Sequence, residues 1–96
     1  MDATMTAMHV AFVVHMVKGS DADTLLSDET KRETQAVVMS LEDAGKMGFA
    51  TAGITAKPGQ EINIIIVARR DAPWIRRQIE GHEKVAGFHE VDVNIG

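Results

Sequence analysis

Apolar and polar positions along this chain lay out four strands and two helices. From His9 to Val17 nearly every position is apolar. Strand side chains alternate faces with period two. Met8, Val10, Phe12, Val14 and Met16 therefore take one face, and His9, Ala11, Val13, His15 and Val17 the other. Apolar side chains on both faces predict a central strand covered front and back. The run ends at the turn cluster Lys18-Gly19-Ser20-Asp21, and an acidic loop follows with a helical turn at Thr24-Leu25-Leu26. Ser27 or Asp28 then offers an N-cap, and Asp28 and Glu29 suit the positive end of a helix. The spacing of Thr34, Val37, Val38, Leu41 and Ala44 predicts a helix from Asp28 to about Ala44, stopped by Gly45 or Gly48.

Phe49 to Ala56 reads as a second strand and Glu61 to Arg69 as a third. The third puts Ile62, Ile64 and Ile66 on one face, with Asn63, Ile65, Val67 and Arg69 on the other. Between them, Lys57-Pro58-Gly59-Gln60 has the proline and glycine placement of a type II turn, which predicts a hairpin. Asp71 caps the next helix, and Pro73 sits in its first turn, where a missing N–H costs nothing. Ile75, Ile79, His82 and Ala86 form its stripe. Gly81 costs about 1 kcal/mol relative to alanine inside a helix, so the helix ends there or at Gly87. Phe88 to Ile95 is the last strand, with Val91, Val93 and Ile95 inward and Glu90, Asp92 and Asn94 outward.

The order βαββαβ predicts an α+β, ferredoxin-like domain over residues 9–96 behind a flexible N-terminus of residues 1–8. Two helices cover one face of a four-stranded antiparallel sheet of order 4-1-3-2. Strands 1 and 3 are central and expected to be parallel, while strands 2 and 4 are edges. The uncovered face would then show Ala11, Val13, Val17, Ile65 and Val67 to water. A contiguous apolar patch marks an interface, and two-fold assemblies are the commonest. The expected partner is a second copy of the chain, joined through the open sheet face or a sheet edge.

Composition narrows the function. Ninety-six residues bound one core, and 45% hydrophobic with 25% charged residues is a globular balance. The absence of cysteine removes disulfides, thiolate metal sites and thiol nucleophiles. A net charge of −4 weighs against nucleic acid as a partner. The apolar run Val10–Val14 is too short to span a membrane. The early residues lack the Lys or Arg of a secretory signal, so the expected compartment is cytoplasmic.

Candidate chemistry is sparse. His9 and His15 share a face but stand about 20 Å apart on an extended strand, too far to chelate one ion. No HxH or HxxxH pair exists, and no metal is expected. His15 is the acid–base candidate, with Glu90 or Asp92 as the cross-strand carboxylate that would hold its tautomer. Arg69 would complete a group able to bind and deprotonate a small anion. Arg69, Arg70, Arg76 and Arg77 gather around a helix start with Trp74, an arrangement suited to anion binding. The glycine spacings of phosphate and dinucleotide loops are absent, as is a G-x-S-x-G elbow, so no cofactor is expected.

The passage Val85-Ala86-Gly87-Phe88-His89-Glu90-Val91-Asp92-Val93 resembles the helix-to-strand junction of ferredoxin-like regulatory modules such as ACT-type domains. Lys18-Gly19-Ser20-Asp21 stands where such domains carry a Gly-rich ligand loop and matches it only in part. The resemblance implies a regulatory module. The leading reading is thus a non-catalytic dimeric module that senses a small ligand or serves as an accessory subunit of a larger enzyme. The alternative is a small cofactor-free enzyme of the dimeric α+β-barrel kind, an isomerase or monooxygenase using His15. A second alternative is anion or nucleic-acid binding through the Arg69–Arg77 cluster.

Overall fold

The computed structural model describes residues 8–49 and 51–93. The elements are β1 (His9–Val17), a 3-10 turn (Ala22–Leu25), α1 (Asp28–Thr34), β2 (Val37–Ser40), α2 (Leu41–Lys46), β3 (Gln60–Ala68), a second 3-10 turn (Arg69–Asp71), α3 (Ala72–Glu80) and β4 (Val85–Val93). The strands form one sheet of order β2-β3-β1-β4. This is the expected order read from the opposite edge, and the class is α+β. Every neighbouring pair is antiparallel, which corrects the expected parallel pairing of β1 and β3. A crossover through one helix returns the chain in the same direction but leaves a slot. Accordingly β1 and β2 share a direction with β3 inverted between them, and β3 and β4 enclose β1 likewise.

The helix expected over residues 28–44 is instead three elements. Ser27 caps α1 by accepting from the Thr30 N–H, as expected. Gln35 then turns left-handed, at φ 57°, and its N–H still bonds the Lys31 carbonyl. Thr34 Oγ1 accepts from the Ala36 N–H, at 3.2 Å, where the helical ladder stops. Val37 and Val38 are β-branched and stiff, so the chain continues extended. Ser40 restarts a helix by accepting from the Asp43 N–H, at 3.1 Å. The three-and-four spacing that reads as one helix is produced by α1, β2 and α2 in turn.

The strand expected over Phe49–Ala56 does not form among the described residues, so β2 rather than that segment lies beside β3. Ala52 and Gly53 offer too little side chain to hold a pleated surface. The turn survives without the hairpin: the Gln60 N–H bonds the Lys57 carbonyl at 2.9 Å, and Gly59 takes φ 81°. Gly81 ends α3, while Gly87, the other expected stop, lies inside β4. Asp71 holds the cap position of α3 but makes no capping bond with its side chain. His82 falls in the turn after α3 and Ala86 in β4, not on a helix stripe. Asn94, Ile95 and residues 1–7 of the expected N-terminus lie outside the described residues.

Two apolar layers result. The first sets Val10, Phe12, Val14, Met16, Ile65 and Val67 against Leu25, Leu26, Ala36, Ala72, Ile75 and Ile79. In the second, Ala11, Val13, Ile62 and Ile64 pack with Ala44, flanked by Leu41, Phe49 and Ile54. The face expected to be open is therefore roofed by α2 and the connection that follows it. Cross-strand partners share a face, and the register pairs Phe12 with Ile65 and Val13 with Ile64. Ile65 and Val67 consequently belong to the first layer, not with Ala11 and Val13. Of the five expected interface residues, those four are at most 2% exposed and only Val17, at 47%, reaches solvent.

Hydrogen-bonding direction alternates along an antiparallel strand. The Arg69 N–H bonds the Met8 carbonyl and the Lys18 N–H bonds the Gly59 carbonyl. Odd-numbered residues of β3 thus point their backbone groups at β1, and even-numbered ones at β2. The odd residues of β1 point at β4, whose residues Phe88, Glu90 and Asp92 turn their N–H and C=O groups out from the sheet edge.

Candidate functional site

His15 is near the end of β1 on the α2 side of the sheet. Its cross-strand partner on β4 is Gly87, which has no side chain to fill the space beside it. The next β4 residue on the same face is His89, and the two rings stand 6.2 Å apart between centroids. A register shift between His15 and Met16 locally opens the β1–β4 ladder. Lys57, from the turn before β3, completes a cleft of about 180 Å³ that Gln60 and Phe88 also line. Partial burial pushes the His15 imidazole below its usual 6.5, and the basic His89 and Lys57 push it further the same way. The site thus gathers three basic side chains.

The carboxylates expected beside His15 are elsewhere. Glu90 lies opposite Phe12 and Asp92 opposite Val10. Both face the α3 layer because they share the parity of those partners. Arg76 of α3 donates to Glu90 and lies over the Phe12 ring, 6.0 Å from its centroid. Arg69 donates to Asp92 at 2.5 Å. Arg69 is also at the His9 end of the strands, about 20 Å from His15 along β1. The His–carboxylate–Arg group read from the sequence is therefore not assembled.

The arginine cluster is divided in the same way. Arg69 and Arg76 are engaged by β4 carboxylates, and Arg70 Nε is 3.9 Å from its neighbour Asp71. Arg77 is exposed on α3, and Trp74 is partly buried there. These residues tie α3 to β4 more than they form a shared anion surface. His82 is committed to structure as well. The Lys84 N–H donates to Nδ1 at 3.2 Å, so Nε2 carries the proton and donates to Thr24 Oγ1 at 2.9 Å. Thr24 in turn donates to the Asp21 carbonyl at 2.7 Å.

Sequence reasoning singled out neither Lys57 nor His89. Their signal, shared parity with His15, appears only once the β1–β4 register and the place of the turn are fixed. Among the described residues no group of three His, Cys, Asp or Glu could hold a metal ion. No helix among them is long and apolar enough to cross a membrane. No protein-family model, curated protein or solved structure matches the chain.

Proposed function

We propose that the protein is a non-catalytic binding module that takes a small anion into the cleft of His15, Lys57 and His89. It works as the ligand-sensing or accessory subunit of a homodimer. The convergence of three basic groups beside a side-chain-free Gly87 carries this reading. A bound anion favours the protonated imidazole, so binding takes up protons. The cofactor-free enzyme reading needs a carboxylate beside His15, and the two candidates are held by arginines on the other face. In fold terms we assign the chain to the ferredoxin-like arrangement, on its two split crossovers. The outward backbone groups of Phe88, Glu90 and Asp92 are the surface through which a second copy would pair.

Sulfate is a suitable probe because its charge is constant near neutrality. Titration should move the ring resonances of both His15 and His89 and bind more tightly at pH 6 than at pH 8. Lys57→Gln should weaken it. Unmoved rings at tens of millimolar sulfate, or equal affinity in the variant, would refute the anion site. Sedimentation should give the mass of two chains, with the Phe88, Glu90 and Asp92 amides protected from exchange; a monomer mass removes the homodimer.

A further inference from the structure

At the other end of the sheet a cavity of about 440 Å³ opens where β2 stops short of β3. β2 pairs with β3 only from Val37↔Ile66 to Ser40↔Asn63. The next rung of that ladder would join residue 35 to Ala68. Gln35 has already turned left-handed, so the chain leaves the rung unfilled. Ala68 is even-numbered, and its N–H points toward the missing partner, while its C=O opens the 3-10 turn of Arg69–Asp71 by accepting from the Asp71 N–H. The Ala68 N–H has no hydrogen-bond partner among the described residues. Val37, 49% exposed, and Ile66 give the notch an apolar wall. Glu33 and Asp71, against the single guanidinium of Arg70, give its rim an excess of negative charge.

We propose that this notch binds an extended peptide segment of another protein, which takes up the open N–H at Ala68. A peptide carbonyl accepts from the Ala68 N–H, in the line of β2. An apolar side chain at the rung covers Val37, because residues in that line share its face. Neighbouring basic side chains meet Glu33 and Asp71. The site is independent of the basic cleft, which lies at the opposite end of β1 and β3.

The test uses two capped tripeptides, acetyl-Lys-Val-Lys-amide and acetyl-Glu-Val-Glu-amide. The lysine peptide should shift the Ala68, Ile66 and Val37 amides and slow exchange at Ala68, and the glutamate peptide should bind more weakly. Ala68 has φ −62°, the angle proline imposes. Ala68→Pro therefore removes the outward N–H without bending the chain or breaking an internal bond. It should fold with an unchanged or higher Tm and bind the lysine peptide about tenfold more weakly. The amide map on the unaltered chain stands by itself if the variant fails to fold. Equal binding to the proline variant, equal binding of the two peptides, or no amide shift with either overturns the proposal. So does an Ala68 amide that is already protected in the free chain.

Discussion

At the scale of single residues, the environment of His15 decides its behaviour. Unfolded, its imidazole titrates near 6.5; folded, burial and the neighbouring His89 and Lys57 hold it lower. Between those two values the unfolded chain binds more protons, so stability is full above about pH 6.5 and falls as pH drops through the folded value. His15→Gln should flatten that segment of the urea midpoint against pH. An unchanged slope would place the proton uptake on another group. Gln35 is a second residue held by its surroundings, since a non-glycine side chain in the left-handed region costs roughly 1–2 kcal/mol. Gln35→Gly relieves that strain and loosens the unfolded chain, leaving a net gain of up to about 1 kcal/mol by chemical denaturation.

Among the elements, the short ones carry most of the organisation. β1 is legible from its sequence because nine consecutive residues fill two layers at once. The turn before β3 is legible because Pro58 and Gly59 fix their own backbone angles. The segment 28–46 is not, because α1, β2 and α2 together reproduce the spacing of a single helix. What separates them is the left-handed Gln35, the β-branched pair Val37 and Val38, and the Ser40 cap. Each is a weak signal against the periodicity until β3 offers Val37 and Met39 a ladder to join. β4 likewise begins earlier than its alternation suggests, because the Val17 N–H bonds the Lys84 carbonyl and draws the chain into register before Gly87.

For the molecule as a whole, the β2–β3 connection is the decisive segment. Ala11, Val13 and Ile64 are fully buried beneath it, so the second sheet face needs no partner chain to be dry. Replacing residues 41–56 with a short glycine linker should uncover that face and drive self-association, seen as a rise in mass by light scattering. A variant that stays at the mass of the unaltered protein would show that the roof is dispensable. The same fold places its polar features at opposite ends. The basic cleft lies beside the Lys57–Gln60 turn, and the unfilled Ala68 rung lies where β2 runs out.

The sequence by itself determined what depends on local chemistry. It marked β1 and β3 as apolar on both sides, located the Pro58-Gly59 turn, offered Ser27 or Asp28 as a helix cap, and made the class α+β with the last strand at an edge. It also singled out His15. The tertiary structure decided what depends on pairing. Antiparallel register put Ile65 with Phe12, sent Glu90 and Asp92 to the arginines of the α3 side, and gave His15 the neighbours His89 and Lys57. The reason is the period-two alternation of a strand: one step of register exchanges every side chain between faces, and only the assembled sheet fixes that step.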